Sequence, residues 1–183
     1  MATTTARNTF TQRLIGALAL DRAIYEEVEA DPTSTGQAIA VVLMSGLAAG
    51  LGSRGLGGTT VQGIVFITIV SLVLWAAWAL VTFEIGARLM PEPQTRVDVG
   101  QMLRTIGFAA APGMLRVLGV MSQATIPVFA ITSVWMLAAM IVAVRQALDF
   151  RSTARAIAVC GLGWALALAI ALAMGLLFGP TVT

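Results

Sequence analysis

The amino-acid sequence predicts an all-α, polytopic transmembrane bundle of five helices preceded by an amphipathic cytoplasmic helix. Two observations of composition and one of pattern predict it. The 183 residues are 58% hydrophobic and only 11% charged, whereas soluble domains carry about 25% charge. The mean hydropathy is +0.90. Apolar runs long enough to cross a bilayer recur along nearly the whole chain after Gly36, so the excess is spread over several segments and not held in one anchor. The expected organisation is a cytoplasmic arm over residues 1–36, a five-span domain over 37–179 and a short external tail over 180–183.

The first residues lack the unbroken apolar core and small-residue cleavage site of a signal peptide, and the mature chain is expected to start near Met1. Projecting Thr9 to Glu29 at about 100° per residue gathers Phe10, Leu14, Ala17, Leu18, Leu20, Ile24, Tyr25 and Val28 into one stripe. Such a helix lies on the inner leaflet or under the bundle. Asp21 falls within that stripe, and two readings stay open: it faces protein, with Arg104, Arg145 or Arg155 as partner, or the helix bends there and leaves it in water.

At about 20 apolar residues per crossing, five spans follow: Ala38 to Ser53, Val61 to Ala87, Met102 to Met121, Ile126 to Val144, and Ala156 to Phe178. Capping-box patterns precede four helix starts, at Thr9/Gln12, Ser34/Gln37, Thr59/Gln62 and Asp98/Gln101. Ser152 or Thr153 suits the start of the fifth span, and Pro127 suits the first turn of the fourth. The GSRGLGG stretch from Gly52 reads as a tight external turn, since it lacks the Lys-Ser/Thr ending and flanking strand of a phosphate loop.

Arginine asymmetry between alternate loops orients the bundle. Nine arginines fall on one side, and only Arg54 and Arg116 on the other. The first side is therefore expected to be cytoplasmic, with the amino terminus inside and the carboxyl terminus outside. All nine acids fall on that same side, so the formal charge of +2 hides a polarised molecule. All eleven basic residues are arginine, the bias of a GC-rich bacterial genome, and the expected address is the inner membrane of such a cell.

Charges and breaks inside the apolar runs are the candidate functional features. Glu84 and Arg104 lie near the inner ends of the second and third spans at similar depth, and pairing them removes the cost of two lone charges there. Pro112 cannot donate to the carbonyl of Phe108, so the third helix should kink or open within AAAPG, with Gly113 adding local freedom. Arg145 and Asp149 are four apart and would share a face where the fourth span leaves the membrane; Arg151 and Arg155 make this inner corner basic, suited to anionic lipid headgroups or a cytosolic partner. Gly46/Gly50 and Gly175/Gly179 have the spacing that permits close helix contact, within the chain or in an oligomer.

Chemistry is narrowly bounded. The chain has no histidine, and its single cysteine, Cys160, lies inside an apolar run. That excludes Ser/His/Asp and Cys/His sites, and no cofactor or metal centre is expected. The EEVEAD cluster, Glu26 to Asp31, lacks the spacing of a calcium loop and reads as a solvated helix end. Nucleic acid is disfavoured because the arginines sit among equal acids at a membrane face.

Three stretches, ALDRAIYEEVEADPTSTGQA, LRTIGFAAAPG and VWMLAAMIVAVRQALDF, carry a resemblance over nearly the whole chain. The chain resembles the bacterial branch of the Yip family, five-span membrane proteins whose eukaryotic members are named for interacting with Ypt/Rab GTPases. The Arg-x-x-Gly-Phe-Ala-x-x-Pro element, here Arg104, Gly107, Phe108, Ala109 and Pro112, is its most specific piece. The resemblance implies a bundle that acts through other proteins and lipids in membrane organisation or traffic, commonly as homo- or hetero-oligomers. The arm is short and lacks the Asp-Leu-Tyr-Gly-Pro type motif of eukaryotic relatives, of which Leu20, Asp21 and Tyr25 are only loosely reminiscent; a bacterial cell also has no Rab cycle, so GTPase binding does not carry over. The first functional expectation is thus a non-enzymatic membrane protein binding protein or lipid partners through an inner face organised by Asp21, Glu84, Arg104, Arg145, Asp149 and Arg155. The alternative is a small ion or solute channel or transporter, using the Glu84/Arg104 pair and the Pro112 break.

Overall fold

The computed structural model describes residues 7–57, 59–121 and 123–178, and side chains to residue 170 with that of Leu172. Those residues form seven α-helices and no strand: α1 (Phe10–Leu18), α2 (Arg22–Ala30), α3 (Ser34–Gly52), α4 (Val61–Phe83), α5 (Val99–Ala109), α6 (Thr125–Ala147) and α7 (Thr153–Phe178). The last five contain the five segments long and apolar enough to span a membrane. Each begins within four residues of the position expected from hydropathy, because the transition from polar to apolar sequence sets where a helix can enter lipid.

Two spans change helical type along their length. After Phe83, α4 runs on as a π-helix over Glu84–Leu89, and after Ala109, α5 gives way to a 3-10 helix over Ala111–Val120. The second change follows from sequence. Pro112 in the first turn of the 3-10 segment has no N–H to continue the α-helical ladder, so the third span opens where AAAPG predicts. Ten residues of 3-10 helix is long for a geometry that usually runs three or four. Pro112 and Gly113 are buried against α3 and α6, and a Cβ at Gly113 would collide with Ser45 and lie 3.0 Å from Met136 Sδ. The break is filled with protein.

The spans are not equally buried. Over their most apolar windows α3 and the third span are 44% and 56% buried, against 11% for α4 and 17% for α6. The first two therefore form the middle of the bundle, and α4, α6 and α7 turn apolar side chains such as Phe66, Val134 and Leu168 outward. In lipid that exposure is solvation, not a defect. One end of the bundle gathers the start of α3, the end of α4, the start of α5, the end of α6 and the start of α7, together with nearly all the charge. The other end is a tight crossing with only Arg54 and Arg116 as charged residues.

Small residues make that crossing possible. A Cβ at Gly46 would stand 3.1 Å from Thr68 and Ser71 of α4, and one at Gly50 would stand 3.0 Å from Ile64, so this pair serves contact within the chain. A Cβ at Gly52 would collide with the carbonyl of Arg116, and one at Gly119 would stand 3.0 Å from the Phe129 ring. Gly175 lies in α7, and Gly179 lies outside the described residues. The short loop before α4 turns at Gly57, whose φ of 118° suits glycine alone. Arg116 donates to Thr132 Oγ1 and Ser133 Oγ at 3.3 and 2.9 Å and stacks over Phe129.

Caps show which local patterns the fold uses. Thr9/Gln12 and Asp98/Gln101 both close as capping boxes. Ser34/Gln37 does not: Ser34 sits inside the helix and donates to Val28 O at 2.7 Å, and Gln37 accepts from Arg13. Thr59 is replaced by its neighbour Thr60, whose hydroxyl accepts from Gly63 N.

Gly52→Ala is expected to destabilise the protein by about 1–3 kcal/mol, the scale of forced overpacking. Gly161→Ala, on an open helix face with nothing within 4 Å of the new methyl, should leave the melting temperature unchanged or slightly raised. Melting of both variants in detergent checks the far-end crossing.

Candidate functional site: the charged end of the bundle

The arm is a hairpin and not one amphipathic helix. Leu20 adopts a φ of 60° and Asp21 becomes the N-cap of α2, its carboxylate accepting from Ala23 N at 2.9 Å. Of the two readings open for Asp21, the structure selects the bend: the side chain is exposed and meets none of Arg104, Arg145 and Arg155. The apolar stripe survives the break. Ala17, Ile24, Tyr25 and Val28 are buried with Ala38, Val41, Phe108, Ala139 and Ala143 in one core, so the hairpin packs on α3, α5 and α6 and does not lie free on a leaflet. Trp135 Nε1 donates to Leu18 O at 2.9 Å, satisfying a carbonyl left open at the end of α1. Trp135 is twelve residues from the end of α6, or about 18 Å along the axis, so the hairpin reaches well down the bundle's side.

Arg13 closes the hairpin. It is 2% exposed and donates to Glu27 Oε1 through Nε (2.9 Å) and Nη2 (2.8 Å), to Asp31 Oδ2 (2.7 Å) and to Gln37 Oε1 (3.0 Å). One guanidinium thus ties α1 to the end of α2 and the first turn of α3. Asn8 adds bonds to both Glu27 oxygens. Thr33 hydrogen bonds, then Arg13, hold the Asp31 carboxyl down at about 2. Burial pulls Glu27 upward, but hydrogen bonds from Asn8 and Arg13 win and hold it below its ordinary value. Glu27 and Asp31 of the EEVEAD segment therefore form a structural clamp, while Glu26 stays in solvent as a helix end would.

Arg104 seats the hairpin on the spans. Its guanidinium, 7% exposed, donates to Val28 O (3.1 Å) and to Glu29 O (3.1 and 2.5 Å), carbonyls in the last turn of α2. A cation placed there satisfies orphan acceptors and opposes the negative end of the helix dipole. The pairing of Glu84 with Arg104 does not form. Glu84 instead bonds Arg88 at 3.0 Å, both side chains at least half exposed on the π-helical turn. Depth placed the two charges alike, but their positions around the helix axes differ.

Two loops complete the face. Glu92, between α4 and α5, meets Arg155 Nε at 3.3 Å, and Thr95 Oγ1 donates to Leu148 O at 2.8 Å. Arg155 also reaches the carbonyls of Met90 and Pro91. Arg145 and Asp149 do not share a helical face, because α6 ends at Ala147 and Asp149 turns back with a φ of 52°. Arg145 donates instead to Phe150 O, Arg151 O and Thr153 Oγ1, closing the corner between α6 and α7. Pro112 and Gly113 lie in the core, away from this face. Among the described residues no cluster of His, Cys, Asp or Glu is placed to hold a metal ion.

Arg13, Glu27, Asp31, Glu92 and Thr95 are the organising residues that sequence reasoning missed. One signal could have found the clamp. An Asp in an apolar stripe is a natural N-cap, and breaking the helix there folds Arg13 back onto the acids of α2.

Glu29 is the acid that responds near neutrality. Burial, then the neighbouring charges of Asp149 and Glu26, push it up to about 7, against a pull from Arg104. A carboxyl raised on folding binds more protons in the folded state, so stability declines as pH rises from about 4.5 to about 7 and levels off above. Glu27 and Asp31 have the opposite sign and lose their contribution only in the acid range below their unfolded values. The melting temperature in detergent is therefore expected to be higher at pH 5 than at pH 8, and Glu29→Gln should remove most of that difference.

The Yip1 domain family matches residues 16–174, from the last turn of α1 to near the end of α7. No curated protein and no solved structure matches the chain. The matched region takes in the hairpin turn, all five candidate spans, Arg104 and the Pro112 break. With that coverage and five apolar spanning helices, the chain is a multi-pass membrane protein that belongs to the Yip family.

Proposed function

We propose that this protein is a non-enzymatic scaffold of the membrane that binds protein or lipid partners through its charged end, in membrane organisation or a trafficking-like role. The observation that carries this reading is the contrast between the two ends. One is built from a clamped hairpin and two cross-tied loops, and it presents exposed Asp21, Arg22, Glu26 and Arg151 from a rigid base. The other is a close helix crossing that carries no acid and only Arg54 and Arg116 as charges. Charged groups held on an ordered surface steer and select partners. The arginine asymmetry supports a cytoplasmic charged end, at the inner membrane of a bacterial cell.

The transport alternative requires a hydrated path to the Pro112 break. The packing of Ser45, Met136 and Gly113 there favours a filled bundle, and the loss of the Glu84/Arg104 pair removes the polar group expected to line such a path.

A photo-crosslinking residue at Glu26 is the direct test; Tyr25, the one tyrosine, is fully buried and unsuitable. In native membranes Glu26 is expected to give discrete adducts, and Arg54, exposed at the far end, few. Equal adducts from both would contradict the reading. Cysteines at the same positions report orientation, since Cys160 is buried in a span. An impermeant maleimide should label Arg54→Cys in intact cells and Glu26→Cys only after permeabilisation.

A further inference from the structure

At the corner where α6 ends and α7 begins, the surface holds an open hollow of about 260 Å³ lined by Arg22, Arg145, Gln146, Asp149, Phe150 and Arg151. Its walls come from three separate places in the chain: the first residue of α2, the last turn of α6 and the loop before α7. Among its lining residues three guanidiniums outnumber one carboxylate, with Glu26, Glu29 and Glu92 lying just outside the walls. Arg145 is fixed by its bonds to Phe150 O, Arg151 O and Thr153 Oγ1, which consume three of its five N–H donors. Arg22 and Arg151 are exposed and, among the described residues, have no carboxylate within ion-pair distance and no side-chain hydrogen bond. Elsewhere at this end Arg7, Arg13, Arg88 and Arg155 are paired with acids and Arg104 bonds carbonyls, while exposed Arg96, also without an ion pair among the described residues, stands outside the hollow. Two unpaired guanidiniums beside a fixed one form a fork-shaped donor set suited to a phosphate group.

Position narrows the ligand. Arg145 is two residues before the end of α6, and Arg151 is two residues before the start of α7. The hollow therefore sits where two apolar helices leave the hydrocarbon layer, which is the depth of lipid phosphates, and basic pockets at such a level take anionic headgroups. Buried Phe150 closes its floor beside the ring-stacked Arg155.

We infer that this corner is a binding site for the headgroup phosphate of an anionic phospholipid, held by Arg22, Arg145 and Arg151. The inference rests on the proposed reading of the charged end as a partner-binding face and names the lipid it takes. Asp149 works against the ligand: its carboxylate shares the wall with the three cations.

The test uses the full chain in micelles supplemented with phosphatidylglycerol or with zwitterionic phosphatidylcholine, retained lipid being read by native mass spectrometry. Wild-type protein is expected to retain phosphatidylglycerol in preference. The Arg22→Gln/Arg151→Gln double variant should lose about twenty-fivefold in apparent affinity, since each guanidinium at a headgroup surface is worth about a factor of five. Its melting temperature should not change, because neither side chain holds the fold. Asp149→Asn should bind more tightly, and Arg54→Gln at the far end should match wild type. Equal retention of the two lipids, an unaffected double variant, or displacement of lipid by millimolar inorganic phosphate would each overturn the assignment. Specific protein adducts from position 26 without lipid preference would overturn this pocket and leave the partner-binding face intact.

Discussion

A guanidinium placed at the edge of the hydrocarbon layer has to find its acceptors within the protein, and in this chain Arg104 finds them in the backbone of another helix. The carbonyls of Val28 and Glu29 are groups that α2 cannot satisfy within its last turn, and Val28 O takes a second bond from Ser34. Two problems are solved together: a buried cation gains charge-assisted hydrogen bonds, worth about 1.5–3 kcal/mol each, and a helix end loses its orphan acceptors. Because α2 is held there, Tyr25 and Val28 stay in the core and Arg13 reaches Glu27 and Asp31. The charged face is a consequence of that seat.

The two ends of the bundle rely on different physics. At the far end backbone approaches backbone, as at Gly52 and Arg116, and close packing does the work. At the charged end, side chains of opposite sign cross-link segments that are distant in sequence, such as Glu92 with Arg155 and Arg13 with Asp31. Several of those pairs are partly buried, where they hold geometry more than they add stability. What they hold in place is the surface on which Arg22 and Arg151 stand unpaired.

The spans were legible in the sequence because hydropathy over a stretch of about 20 residues is set by lipid and needs no knowledge of neighbours. The Pro112 break and the Asp98/Gln101 box were legible for a related reason: each depends on residues within a few positions of one another. The candidate site was less so. Glu84 and Arg104 share a depth, but depth leaves rotation about the helix axis undetermined, and a neighbour four residues on captured Glu84. Gln37 left its box because Arg13, arriving from another helix, offered a charged donor. Asp21 carried its meaning in plain view, as a helix start within an apparently continuous stripe. A long-range contact decided the fate of Gln37, whereas Glu84 and Asp21 were settled by neighbours within four residues that compete with the more distant partners their depth or stripe suggested.

The seating of α2 by Arg104 is most directly tested by amide hydrogen exchange of the protein in lipid nanodiscs, wild type beside Arg104→Leu. In the wild type, amides of residues 24–30 should be protected to the level of those in α3. In Arg104→Leu they should exchange much faster while α4 and α6 remain protected. Rapid exchange of α2 in the wild type, or unchanged protection in the variant, would contradict the account.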